Sequence, residues 1–283
     1  MWLAARDLPA GRNPYLNPDI FTGVGYPPNT LLFYLPLIKF PYKMAQAIFI
    51  LLSLFSIIGS IYLSFKIAIG KIPWFVFFLT ISLTLFSFPT KFTLGMGQNN
   101  SIALLLLLLA YYFYLHKKLP ISGILLGSAI TIKTIFIFFL LFFLAKREWK
   151  IIFYSVIVIG FSIFLVGIFA DISLYSYYLK EIVPSLLNLS GREIYYNQGV
   201  MGFISRLSDS LDLRKYLVIG VSVILVSITT LLSVKKKNPN LLLSLFIITL
   251  LLIDSLSWQH HFVWLVFPFI VLTSYAIKMK NTS

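Results

Sequence analysis

Eight apolar runs divide the chain, at residues 44–66, 73–90, 101–115, 121–144, 150–170, 216–234, 241–258 and 262–278. Each approaches the ~20 residues that carry a helix across ~30 Å of hydrocarbon. Two shorter apolar pieces, 29–38 and 199–207, suit an interfacial or partly embedded position. The pattern predicts an all-α fold, a polytopic transmembrane helical bundle with about seven to nine membrane segments. It reads as one membrane domain over 1–283. Within it, 1–43 is an external loop and short helix, 44–170 a first helical group, 171–215 a second external loop, and 216–278 the last three helices.

Composition removes the alternatives to a membrane. The 283 residues are 59% hydrophobic and 11% charged, against about 25% charged in soluble domains, so water-soluble enzymes, fibres and disordered chains are excluded. There is no cysteine, hence no disulfide and no thiolate metal site. The net charge of +14 does not point to nucleic acid, because no basic run is long enough to track a phosphate backbone. Twelve Lys/Arg fall instead in five short turns: Lys66 and Lys71; Lys117 and Lys118; Lys146, Arg147 and Lys150; Lys235 to Lys237; Lys278 and Lys280. Basic turns mark the cytoplasmic side. Most acidic residues lie between them, on the opposite side.

One pair of turns conflicts with simple alternation. The turns at 117–118 and 146–150 are both basic, yet a single run, 121–144, joins them. That run carries Lys133 near its middle. Two half-helices meeting at 132–134 would enter and return on the same side, and such broken backbone is tolerated only against protein or a wet cavity. A plain crossing is the other reading. With the hairpin, 1–43, the GMGQNNS turn (95–101), the loop 171–215 and SWQHH (257–261) all reach the external face.

Each polar motif has a bland and a chemical reading. Asn99, Asn100 or Ser101 can cap the apolar helix that follows; with Gln98 they can also form an amide pocket for hydroxyls or phosphate at a helix N-terminus. An ionisable group at the centre of an apolar run costs about 2.5–3.5 kcal/mol on insertion scales, so Lys133 either snorkels or faces a cavity holding an anion. In DSLSWQHHF (254–262), Trp258 alone is an ordinary interfacial residue. His260 and His261 point about 100° apart on a helix and serve one metal ion poorly; imidazole as donor or proton shuttle suits them better. The loop around Tyr195, Tyr196, Asn197 and Gln198 can stack on and hydrogen-bond a sugar, or can be an interfacial loop. The sequons at Asn99 and Asn188 match the glycosylation pattern, which recurs by chance.

Taken in order, GRNPY and YPP near the start, GQNN opening a helix, a mid-run lysine followed by KREWK, NQGVMGFISR, and SWQHHFVWLVFP resemble the polyprenyl-phosphate-sugar-dependent membrane glycosyltransferases. These are family eighty-seven of the GT-C superfamily and include the mycobacterial-type polyprenol-phosphate-mannose mannosyltransferases. The resemblance implies a GT-C-like integral enzyme of the plasma membrane. It would transfer a hexose, mannose above all, with inversion and without a nucleotide sugar, from a polyprenyl-phosphate donor to a lipid, glycan or protein acceptor at the extracytoplasmic face; no cofactor is expected, and the residues single out no metal ligands. Its partners would be that donor, the acceptor and membrane lipids. By position in the matched motifs, Gln98, Asn99, Lys133, Asn197, Gln198, Arg206, Trp258, His260 and His261 would bind substrate. The family pattern also implies a further N-terminal helix and an acidic loop, which would put the general base upstream of Met1 in a truncated chain. Asp254 and Asp7 are the weaker candidates within it. Asp254 stands where the family more often has a small uncharged residue.

Two other classes share these features. A flippase for lipid-linked sugars would also need basic turns and an intramembrane lysine, but transporters often carry broken helices in both halves, and only one broken run is evident. A non-catalytic relative would lack turnover.

Overall fold

The computed structural model describes residues 1–20, 24–187, 193–234 and 238–280. Among these the fold is all-α; the one β feature is an isolated antiparallel bridge between Asn197 and Trp258. The helices that build the bundle are α1 (Tyr42–Ile69), α2 (Trp74–Phe86), α3 (Phe88–Gly95), α4 (Asn100–Leu115), α5 (Leu119–Ile132), α6 (Phe139–Ala145), α7 (Trp149–Phe169), α8 (Leu211–Val234), α9 (Pro239–Ile253) and α10 (Val266–Lys280), with shorter helical segments in the loops.

Four helices are long and apolar enough to cross a bilayer: Tyr42–Ile69, Trp149–Phe169, Leu211–Val234 and Gln259–Lys280, where α10 is extended by the turn before it. The pair α2 and α3, bent by 60° at Ser87, is a broken span or a re-entrant loop, and brings the number to five when counted as one span. This corrects the expected seven to nine segments. The remaining apolar runs form the shorter helices Asn100–Leu115, Leu119–Ile132, Thr134–Ala145 and Pro239–Ile253. The reason is local. Counting apolar residues misses that these helices stop at polar residues inside the protein. α4 begins at Asn99–Asn100, α5 ends at Lys133 and α9 ends at Asp254. Non-helical backbone at such depth survives where it faces protein or a cavity.

The hairpin reading of 121–144 holds. Lys133 leaves the helix at φ −136°, ψ 89°. Beyond it, α7 runs parallel to α5: Gly123 lies against Ile151 and Gly127 against Ser155. A Cβ on Gly123 would stand 2.6 Å from the Ile151 carbonyl oxygen, and one on Gly127 2.8 Å from that of Ser155. Only glycine allows this approach of backbone to backbone. The segment 134–145 between the two helices therefore returns the chain, and Lys117 and Lys150 border one surface cleft. The two flanking turns are built alike. Lys117 and Arg147 take φ of 59° and 57°. The next amides, Lys118 and Glu148, donate five residues back, to Phe113 and Phe143, both at 2.9 Å, the hydrogen-bond pattern of a Schellman helix stop.

The basic turns gather at one end. Lys146 Nζ donates to the Ser233 carbonyl (2.6 Å). Asn240 donates to the Ile67 carbonyl (3.1 Å) and accepts from Tyr111 (2.7 Å). Ala68, Asn238 and Lys278 line a common cleft. The turn Lys235–Lys237 lies outside the described residues. The outer helices carry lipid-type surface, with Phe75 82% exposed. Of the two short apolar pieces, the first is more deeply embedded than expected: Pro28–Leu31 is buried, with Thr30 donating to the Thr131 carbonyl (2.7 Å) and Asn29 to Ser162 (3.2 Å). The second, Val200–Leu207, packs Met201 and Ile204 against Val218 of α8.

Candidate active site

The helix breaks at Asn99, Lys133 and Asp254 face one another across the end of the bundle remote from the basic turns. α5 has 14 residues, so Lys133 stands about 21 Å along its axis from the Lys118 turn. The residue is 5% exposed. It donates to the Tyr26 hydroxyl (2.8 Å) and approaches His261 Nε2 (3.2 Å). An ammonium only donates, so Nε2 accepts and the ring proton resides on Nδ1. That nitrogen lies 3.1 Å from Asp254 Oδ2, at ion-pair distance although off the axis of a good hydrogen bond. The result is a buried, formally neutral sequence of carboxylate, imidazole and ammonium. Lys133 Nζ also sits 5.2 Å from the Tyr26 ring centroid and 5.8 Å from that of Trp264, where ring quadrupoles attract a cation.

Tyr26 carries the network further. Having accepted from Lys133, its hydroxyl donates toward Gln98 Oε1 (3.2 Å) and Asn99 Oδ1 (3.4 Å). The Asn99 amide in turn donates to the Ile132 carbonyl (2.7 Å), satisfying the C-terminus of α5. Asn99 is thus a cap after all, but of the facing helix, and it is too buried to carry a glycan. The sequon at Asn188 lies outside the described residues.

The two histidines differ. His261 is held by Lys133, by Asp254 and by Trp264, whose ring stacks on it at 5.0 Å and 4°; the Trp264 indole N–H donates to the Asn100 carbonyl (3.1 Å). His260 is anchored through its backbone, whose carbonyl accepts from Thr93 (2.9 Å) and Asn100 (3.1 Å). Its ring packs edge-on against Phe92 and Trp258, and its Nδ1 is buried with no hydrogen-bond partner among the described residues. His260 is therefore the imidazole with bonding capacity to spare.

These groups line a cavity of about 310 Å³, the lower range of small-molecule pockets. Gln98, Lys133, Asp254, Trp258, His260 and His261 all border it, and Ile135, Leu186 and Leu256 supply an apolar side. Tyr26 and Tyr178 also face it and were not singled out by the sequence. YPP stands in the sequence only as one motif of the family resemblance, and Tyr178 carries no signal. Burial pushes the Tyr178 hydroxyl up from its ordinary value, which keeps it protonated. A second cavity of about 250 Å³ meets the first at Gly25, Tyr26 and Gln98.

The loop residues support the wall rather than line it. Asn197 is buried, pairs with Trp258 and donates to the Ser255 carbonyl (3.1 Å). The Gln198 amide N–H donates to Ser257 (2.9 Å), while its exposed side chain turns back to the Tyr195 carbonyl. Arg206 donates to the Asn197 carbonyl (3.0 Å). Asp7 is elsewhere. Buried, it binds Arg12 (2.9 Å) and Asn17 (2.6 Å) beside a separate cavity of about 570 Å³.

The model of one protein family, glycosyltransferase family 87, matches residues 24–268. The chain belongs to glycosyltransferase family 87. No curated protein and no solved structure matches it. As a family 87 member it is a membrane glycosyltransferase, and the matched span includes every residue of the cavity network, from Tyr26 to His261. Among the described residues no three His, Asp or Glu side chains come together to hold a metal ion.

Proposed function

We propose that this family 87 protein is an inverting hexosyltransferase of the plasma membrane. It takes mannose from a polyprenyl-phosphate donor and passes it to a lipid, glycan or protein acceptor at the extracytoplasmic face. The observation that carries the reading is Lys133, a charged ammonium buried at a hairpin tip and lining a cavity. Among the described residues two of its three N–H groups are engaged, by Tyr26 and His261; the third would take a phosphate oxygen.

Departure of a polyprenyl phosphate builds negative charge on that phosphate. Preorganised donors in a dry site stabilise such charge best. Lys133 supplies the charge, and His260 and Tyr178 supply neutral polar groups. Ile135, Leu186 and Leu256 give the first isoprene units apolar contact. Gln98 offers an amide to sugar hydroxyls, and Trp258 an aromatic face. The basic turns at the far end set the orientation through the positive-inside rule.

The test is incubation of proteoliposomes with radiolabelled polyprenyl-phosphate mannose and a membrane lipid extract. A new glycosidic product supports the transferase. Movement of the donor between leaflets with no new bond would favour a flippase, and neither outcome would favour a non-catalytic relative.

A further inference from the structure

Asp254 takes no part in the proposed transfer as described so far. It ends α9, is 7% exposed and faces His261. Its two oxygens are both occupied by the protein. Oδ1 accepts from the Leu256 N–H (3.2 Å), and Oδ2 lies against His261 Nδ1. The backbone around it is clamped. The Asp254 carbonyl would be 2.9 Å from a Cβ on Gly199, and Asn197 holds the next carbonyl. The carboxylate is thus turned toward the imidazole, with each oxygen already facing one N–H of the protein.

We propose that Asp254 is a positioning residue: through His261, it holds the ring proton on Nδ1 and aims the Nε2 lone pair at the Lys133 ammonium. The inference deepens the reading above and rests on it for its catalytic consequence. The groups facing His261 are Lys133, Asp254, His260 and Trp264. Of these only Asp254 offers a negative charge to Nδ1–H, and only Lys133 offers a proton to Nε2. Without the carboxylate, Nδ1–H loses the negative charge it faces, Lys133 alone is left to hold the tautomer, and the ammonium loses its counter-charge. Asp254 then acts on the donor phosphate at one remove. It is a different role from that of a general base, which must touch the acceptor.

The experiment has two arms. The first is independent of turnover. The chain has three histidines, so ¹⁵N-histidine spectra of the protein in lipid, with His116→Gln and His260→Gln variants for assignment, isolate His261. The expected wild-type signature is protonated Nδ1 and bare Nε2. It should persist in Asp254→Asn, whose amide oxygen can still face Nδ1–H, and weaken in Asp254→Leu, where Lys133 alone holds the tautomer. Protonated Nε2 in the wild type, or an unchanged signature in Asp254→Leu, overturns the proposal. The wild-type spectrum decides even where the leucine variant fails to fold. The second arm measures transfer against pH. Carboxylates that orient a metal-bound imidazole are worth roughly 10–100-fold, and the same orienting role is asked of Asp254 without the metal. Asp254→Leu should lose about that factor, in kcat more than KM, and Asp254→Asn less than about tenfold with the ascending pH limb kept. Loss of that limb in Asp254→Asn would make Asp254 the base and overturn the positioning role. A wild-type protein with no transfer at all counts against the proposed function, and the nitrogen spectrum still decides this one.

Discussion

Lys133 and Asp254 stand at helix ends 121 residues apart and share one buried imidazole between them, so their energies must be coupled. Consider Lys133→Met, Asp254→Asn and the double variant. Lys133 is 5% exposed and Asp254 7%. Breaking a buried pair from one side costs about 3–5 kcal/mol, because the remaining charge is stranded. The lysine variant should fall at the lower end, since His261 can take up a proton and face Asp254 directly at the existing 3.1 Å. The double variant strands no charge. Its total loss should therefore fall short of the sum of the two single losses by about 2–3 kcal/mol, near the upper range for contacting residues. The assay is equilibrium unfolding in mixed micelles with increasing denaturing detergent, comparing the four proteins in one lipid background. Additivity to within about 0.5 kcal/mol would refute the reasoning, because it would mean that the imidazole transmits nothing between the two charges.

Other consequences are simpler. Gly127→Ala should cost about 1–3 kcal/mol by overpacking α5 against α7, since its Cβ would meet the Ser155 oxygen at 2.8 Å; Gly160→Ala, with nothing within 4 Å, should be neutral or slightly stabilising, and melting temperatures compare the two. Gly202→Ala would bring a Cβ to 2.2 Å from the Asn197 oxygen, displacing the Asn197–Trp258 bridge; transfer activity should fall while helix content by circular dichroism stays constant. The chain lacks cysteine, so single cysteines at Lys118 and Lys150 can be labelled without background. Impermeant reagent should reach both from the same side of sealed vesicles, and opposite sides would remove the hairpin.

The hairpin and half of the site were legible from sequence for one physical reason: charge in an apolar run is rare enough to carry information. Lys133 forced a break, and Asp254, His260 and His261 marked another. Depth and period do not identify partners. Tyr26 meets Lys133 across 107 residues, and nothing in GYPPNT distinguishes a hydroxyl in a network from a tyrosine in a turn. Gln98 and Asn99 show the same ambiguity resolved differently, one lining the cavity and the other capping α5. Motif position was the weakest guide: Gln198 and Arg206 lie in a matched segment, yet their bonds go to backbone carbonyls that brace the cavity wall. Segment counting failed for a related reason. A helix that stops inside the protein has the same composition as one that stops in lipid headgroups, and only the facing polar groups tell them apart.

The central claim is that a phosphate-bearing lipid sugar binds in the cavity against Lys133. Its most direct test is ligand protection of a single cysteine at Thr134, beside that lysine and on the cavity lining, labelled by an impermeant thiol reagent. Polyprenyl phosphate should slow labelling strongly, uncharged polyprenol should not, and Lys133→Ala should abolish the difference. Equal protection by the charged and uncharged lipids, or protection that survives Lys133→Ala, would contradict the account.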